Sequence, residues 1–349
     1  MRTMYWIASL TILAIGTLAS AGEPRGLDIY FIDTEGGAAT LIVTPAGESV
    51  LIDSGNPGKR DAERIHKTAT EQAKLIAIDH HIITHWHLDH YGGVERLAQL
   101  MPIRKYYHHG IPETLAEDPK NFPTLVKAFK HVAAGKDRRL QPGDSLELKP
   151  SQGGPALELL CLCGHGEVIA DKPGAAENPI AKDHKPNPED KSDNAKSLGF
   201  LLKYGGFRFL DLGDLTWNIE YKLVHPTDKI GLVDLYQVTH HGLEVSNNPV
   251  LIRTVKPRVA IFNNGPRKGG HPQVLGTLRR LPEPPAIYQL HRNVAINALE
   301  NTEPERIANN ADKDCKGEGI AVAVAADGKS YTVTVGRTGK SERFVTRSP

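Results

Sequence analysis

Thr84-His85-Trp86-His87-Leu88-Asp89-His90-Tyr91-Gly92-Gly93 sets four metal-capable side chains within six residues, directly behind an apolar run that reads as a buried strand near residues 75–84. In an extended or tightly turning segment His85 and His87 point the same way and can hold one ion. Asp89 and His90, on the next turn, can hold a second ion a few ångströms away. Neutral imidazole and carboxylate suit Zn²⁺ and also accept Mn²⁺ or iron. Gly92-Gly93 lets the following backbone pass close to such a site. A His-rich surface loop, the bland alternative, does not account for so dense a set behind a buried strand.

Strand and helix signals alternate on both sides of this stretch. Upstream, residues 27–31, 40–43 and 50–52 read as strands, the last ending at Asp53-Ser54-Gly55, and 61–72 is helical. Downstream, 91–100 has helical spacing, and 123–134 places Leu125, Val126, Phe129 and Val132 on one face. Residues 157–163 form a strand. Residues 164–196 are polar and aperiodic, a long surface excursion. Residues 197–204 and 207–212 are strands joined by the Gly205-Gly206 hairpin signal, with Asp214 just beyond. A helix over 217–224, a strand over 233–239 ending at His240-His241-Gly242, a strand over 259–263 and a helix over 273–281 follow. Residues 293–317 form a second polar insertion. The segments 320–325 and 331–335 flank Asp327-Gly328 as a hairpin. Helices on the outside of β-sheets are the architecture this order implies.

The 349 residues carry 40% hydrophobic and 24% charged content, enough for a sizeable core. Lys+Arg number 42 against 41 Asp+Glu, a neutral balance that argues against a general nucleic-acid coat protein. Arg2, the apolar run 5–18 and Ala19-Ser20-Ala21 read as a signal peptide over residues 1–21, cleaved before Gly22. The expected mature protein is secreted or periplasmic, with no membrane attachment after cleavage. Cys161 and Cys163, two apart on a strand, are expected on one side; either could pair with Cys315, or all could be small buried side chains.

The H-x-H-x-D-H pattern resembles the metallo-β-lactamase superfamily, which implies an αββα four-layer sandwich over 22–349 with two divalent ions at one edge. Asp53 matches the family's earlier Asp, which orients a metal-bound histidine. The order Asp193-Asn194, strand, Gly-Gly, strand, Asp214, then His240-His241-Gly242 and Gly270-His271-Pro272 is similar to the extracytoplasmic hydrolase domain of ComEC-type competence proteins and its stand-alone relatives. That resemblance implies metal ligands at His85, His87, Asp89, His90, Asp214 and His271, with Asp214 bridging the ions. His240 and His241 would hold a metal or donate a proton. Asp193 or Asn194 stands where the family places a third histidine, with His165 as the alternative. Leu243 replaces the family's usual serine. His80 and His81 read as packing or supporting residues, His108 and His109 as cleft candidates, and Arg267 and Lys268 as exposed loop cations or, alternatively, as cations able to meet a substrate phosphate.

The expected chemistry is hydrolysis by a hydroxide between two ions, the water's pKa falling from about 15.7 towards about 7. Asp89, Asp214, His240 and His241 would carry catalysis. Nuclease-like phosphodiester cleavage, which the ComEC-type resemblance implies, is the leading reaction. Hydrolysis of a small-molecule phosphodiester, lactone or sulfate ester is a second reading, and a metal-binding module without turnover a third.

Overall fold

The computed structural model describes residues 25–347 apart from 152 and 311–314. The expected leader and its cleavage point before Gly22 lie outside the described residues. Among the described residues, no helix is long and apolar enough to cross a membrane.

Two mixed sheets lie face to face. The first contains β1 (Leu27–Phe31), β2 (Thr40–Val43), β3 (Ser49–Ile52), β4 (Ile78–Ile82), β5 (Ile103–His108) and β6 (Asp137–Arg139). The second contains β7 (Leu157–Gly164), β8 (Glu167–Val168), β9 (Gly199–Tyr204), β10 (Phe207–Asp211), β11 (Leu235–Gln237), β12 (Val259–Phe262), β13 (Ala286–His291) and β14 (Ile307–Asn309). The chain then returns to the first sheet with β15 (Ile320–Val324), β16 (Ser330–Val335) and β17 (Ser341–Val345), giving the orders β17-β16-β15-β1-β2-β3-β4-β5-β6 and β14-β13-β12-β11-β10-β9-β7-β8.

Side-chain alternation divides the apolar residues among three layers of contact. Ile29, Phe31, Val50 and Ile52 meet Phe200, Leu202, Phe207 and Phe209 between the sheets, where the Phe31 and Phe209 rings pack edge to face at 5.9 Å. The opposite face of the first sheet is covered by α1 (Arg60–Lys67), α2 (Leu88–Tyr91), α3 (Val94–Leu100) and α4 (Phe122–Ala133). Phe122, Val126, Phe129 and Ala133 of α4 recur at spacings of four, three and four, the stripe a helix needs to bury one side. Leu201, Leu210, Tyr236 and Phe262 face outward from the second sheet, beneath α6 (Pro249–Val255) and α7 (Pro272–Arg279), with α5 (Trp217–Lys222) alongside. This is the expected αββα arrangement.

Topology places the functional segments. β3 through β6 run parallel, as do β10 through β14. Parallel neighbours require crossovers, and α1, α4, α5, α6 and α7 lie within five of them. Every strand-to-crossover turn therefore falls beyond a strand's carboxyl end: Asp53 after β3, His85 after β4, Asp214 after β10, and His240 and His241 after β11.

Four sequence expectations change. The helix expected over 91–100 breaks into α2 and α3, because Gly93 lies so close to the Asp53–Gly55 turn that a Cβ would meet the Ser54 carbonyl oxygen at 2.1 Å. Cys161 and Cys163 face opposite sides, since a register irregularity between them turns Cys161 into the inter-sheet core and Cys163 towards the outer layer. All three cysteines are free, so the pairing with Cys315 does not form. The stretch 293–317 contains β14, hydrogen-bonded to β13, and so contributes to the second sheet.

Gly93→Ala should lower stability by at least about 2 kcal/mol, because the backbone itself must move. Thermal unfolding checks this; a variant melting at the wild-type temperature would refute the close-approach account.

Candidate metal centre

Trp86 fixes the orientation of the histidines beside it. Its ring is fully buried, packs edge to face on Phe129 at 5.0 Å and donates Nε1–H to the Gly110 carbonyl at 2.6 Å. With Trp86 anchored in the outer core, His85 and His87 turn the other way, their rings 4.7 Å apart. The short helix α2 then brings His90 within 4.0 Å of His85, ring to ring.

The focus of the site is Asp214, which is almost fully buried. Its Oδ2 lies 3.2 Å from His90 Nε2, 3.3 Å from both His240 Nε2 and His241 Nε2, and 4.0 Å from His85 Nε2. The protons on the opposite nitrogens are largely committed elsewhere. His90 Nδ1–H donates to Asp53 Oδ2 at 2.7 Å. His241 Nδ1–H donates to the Asn263 carbonyl at 3.3 Å. Thr84 donates its hydroxyl to Asp53, which leaves that oxygen to accept from His85 Nδ1 at 3.1 Å. In their neutral forms these rings therefore aim Nε2 lone pairs at an acceptor-only carboxylate.

Lone pairs facing lone pairs in a buried space require a positive charge. His85 Nε2, His90 Nε2, His241 Nε2 and Asp214 Oδ1 are buried and have no hydrogen-bond partner among the described residues. Two ligand groups result: His85, His90 and Asp214, and Asp89, His90 and His241, each with donor atoms within 4.8 Å of one another. Imidazole and carboxylate on these terms fit a divalent transition ion.

The carboxylates favour positive charge at this place, and in the absence of an ion protonation of His90 supplies part of it. Burial opposes ionisation of Asp214, but His240, His241 and His90 outweigh it and hold the carboxyl well below its usual range. Asp89 is likewise lowered, burial being overcome by His90, His241 and Lys268. Burial disfavours the His90 imidazolium, yet Asp214, Asp53 and Asp89 raise the ring well above its ordinary value. Burial pushes His240 down to about 4, so near neutrality it offers a lone pair more readily than a proton.

Backbone strain is concentrated at the same place. Asp53, His240 and His241 have φ of 61°, 56° and 54°, in the left-handed region that residues other than glycine seldom occupy. Gly242 (φ 83°) follows His241 because a Cβ there would strike the Phe262 ring at 2.4 Å.

The structure does not bring every expected ligand into the two groups. His87 stands beside His85, but its Nε2 faces Glu117 Oε1 at 3.7 Å. Asp193 lies outside both groups, because its Oδ2 accepts from Trp86 N at 2.8 Å and pairs with His109 Nε2 at 3.1 Å. Asn194 is closer in, its Nδ2 3.4 Å from His240 Nε2, whereas His165 is exposed. His271 also lies outside them, with its ring capping α7 through Gln273 N and 3.9 Å from Glu244. His80 bonds Tyr107 and Glu48; His81 is buried against the Tyr106 ring, and burial drops it to about 3. His108 pairs with Asp137. Sequence reasoning missed Glu117, which accepts from Asp193 N at 2.5 Å, and Ser246, whose hydroxyl meets His240 Nδ1 at 3.1 Å. Neither has a motif of its own.

Residues 32–169 match the Metallo-beta-lactamase superfamily. The chain is 24% identical over 253 residues to Recombination protein 2 of Haemophilus influenzae, covering 71% of this chain and 26% of that protein. It is 35% identical over 66 residues to the Lactamase-like protein notP of an Aspergillus species, covering 19% of this chain and 20% of the relative. It thus spans about a quarter or less of each relative's length. A solved structure from Parabacteroides distasonis superimposes with a TM-score of 0.42 at 14% identity, covering 75% of this chain and 92% of that one.

Asp53→Asn tests the tautomer argument, since Asn tolerates the left-handed backbone but presents an N–H to His90 Nδ1. Metal affinity measured by chelator competition should weaken about 10- to 100-fold. Unchanged affinity would remove Asp53 from the centre.

Proposed function

From the match of residues 32–169 to the metallo-β-lactamase superfamily, we propose that the protein is an exported metal-dependent hydrolase of phosphodiester bonds. The observation that carries the reading is the convergence of His85, His90, His240 and His241 Nε2 on Asp214 Oδ2. His85, His90 and Asp214 would hold one ion; Asp89, His90 and His241 would line the place of a second. Zn²⁺ is the preferred metal, with Mn²⁺ or iron as alternatives. Divalent ions there would supply Lewis acidity and an acidified water.

The chain's own residues would orient and exclude. Asp53, Thr84 and the Asn263 carbonyl hold three imidazoles in one tautomer, so their ligand atoms need no reorganisation during turnover. Ser246 steadies His240, and Asn194 Nδ2 extends the polar wall beside it. His240, depressed by burial, would serve as a lone-pair donor at neutral pH; His241 is tied to both Asp89 and Asp214.

Similarity to a protein named for recombination supports nucleic acid as one phosphodiester source. A second reading, hydrolysis of a small phosphodiester, lactone or sulfate ester, is favoured by the neutral charge balance. Export rests on the signal-like residues 1–21.

A metal-reconstituted panel of single-stranded DNA, bis-p-nitrophenyl phosphate, a lactone and a penicillin separates the readings. Phosphodiester turnover should be lost with chelator and fall at least about 100-fold in Asp214→Asn, with thermal unfolding little changed. Lactone turnover alone would favour the second reading. Near-normal phosphodiester turnover in the folded Asn variant would remove Asp214 from the reaction.

A further inference from the structure

Asp89 is satisfied differently from Asp214. Its Oδ2 lies 3.4 Å from His241 Nε2 and 3.6 Å from His90 Nε2, but only 2.5 Å from Lys268 Nζ. The corner where Asp89, His90 and His241 converge thus contains a full positive charge belonging to the protein. The pairs at Asp214 are all with imidazoles, and no Lys or Arg pairs with it among the described residues. The two corners of the centre are electrostatically unequal.

Lys268 reaches Asp89 from a loop built for that approach. Gly265 N donates to the Lys268 carbonyl at 2.9 Å, and Gly269 and Gly270 take φ of 76° and 60°. Gly270 N donates to the His241 carbonyl at 2.9 Å, and a Cβ on Gly269 would meet that same oxygen at 2.1 Å. The loop is therefore fastened to the segment that presents His241. On the other side the Lys268 stem passes Gly36, where an added Cβ would come within 3.2 Å of the lysine Cβ. The backbone is held, while the side chain is 41% exposed. An ammonium on a flexible four-carbon stem can leave this position for water without disturbing the loop.

We propose that Lys268 is an internal cation of the Asp89 corner that competes with the second metal ion, so that the two ions of the centre bind with unequal affinity. The inference rests on the metal-centre reading above. Asp89 Oδ2 faces two imidazole nitrogens and requires positive charge. Either the ammonium or a divalent ion can meet that requirement, but both cannot share a group whose donor atoms lie within 4.8 Å. An ion entering the corner must first displace Nζ, and its apparent affinity is reduced by the fraction of molecules in which Asp89 is free of the lysine. The His85–His90–Asp214 corner carries no such penalty and fills first. Once displaced, the ammonium stays tethered near the Asp89 corner, available to an anionic substrate.

Calorimetric titration of metal-free wild-type protein, Lys268→Met and Lys268→Arg with zinc chloride tests this. Methionine keeps much of the stem's length and removes the charge; arginine retains the charge. Two binding events are expected in each protein, with the first dissociation constant unchanged throughout. The second should tighten about tenfold or more in the methionine variant, equivalent to about 1.4 kcal/mol or more, and stay near wild type in the arginine variant. A second dissociation constant that is unchanged or weaker in Lys268→Met would overturn the competition while leaving the metal centre standing. Failure of wild type and both variants to bind zinc would overturn the metal-centre reading and this inference with it.

Discussion

Asp214 Oδ2 is an acceptor surrounded by acceptors. Three imidazole nitrogens approach it within 3.3 Å, and two of those rings have given their N–H to Asp53 and to the Asn263 carbonyl. The third, His240, is kept neutral near pH 7 by burial. Unbalanced acceptors in a low-dielectric interior are costly, so the arrangement calls for positive charge, which a second proton on His90 or a bound cation supplies. The rest of the site serves that requirement. Asp53 and Thr84 form a hydrogen-bonded support behind His85 and His90, and the turn after β11 accepts two consecutive left-handed residues to present His240 and His241 side by side.

The scaffold can impose this because it is made from parallel strands at the places that matter. The turns beyond β3 and β4 carry Asp53 and His85, and those beyond β10 and β11 carry Asp214 and the His240-His241 pair. Carboxyl ends of parallel neighbours lie together, and the crevice beyond them is where an α/β sheet holds its ligands. Packing between Phe31, Ile52, Phe207 and Phe209 locks the two sheets, and so locks the two halves of the ligand set against one another. A close backbone passage at Gly93 and a ring contact at Gly242 remove the remaining freedom.

Much of this was legible in the sequence. His85 to Gly93 announced its chemistry because four ligand types followed a buried strand without a gap. Asp214, His240 and His241 were assigned through the ComEC-type resemblance, and each lies in the turn beyond a strand that the sequence pattern marks. Features set by three-dimensional accommodation were less readable. The irregularity that separates Cys161 from Cys163 leaves no mark in the alternation of the residues. β14 lies in a polar stretch because its Asn309 side chain bonds backbone carbonyls across the sheet edge, so hydropathy hides it. Asp193 had the right place in the chain order for a ligand, but Trp86 N and His109 claim one of its oxygens. Lys268 read as a loop cation, since nothing local shows that 179 residues of separation close into an ion pair with Asp89.

The central claim is that Asp214 sits between two metal positions. Anomalous diffraction from a zinc-loaded crystal, recorded on both sides of the metal absorption edge, tests it most directly. The account predicts two anomalous peaks flanking the Asp214 carboxylate, one towards His85 and His90 and the other towards Asp89 and His241. Peaks only elsewhere, for instance at Asp33, His291 and Cys315, which also converge, or none beside Asp214, would contradict it.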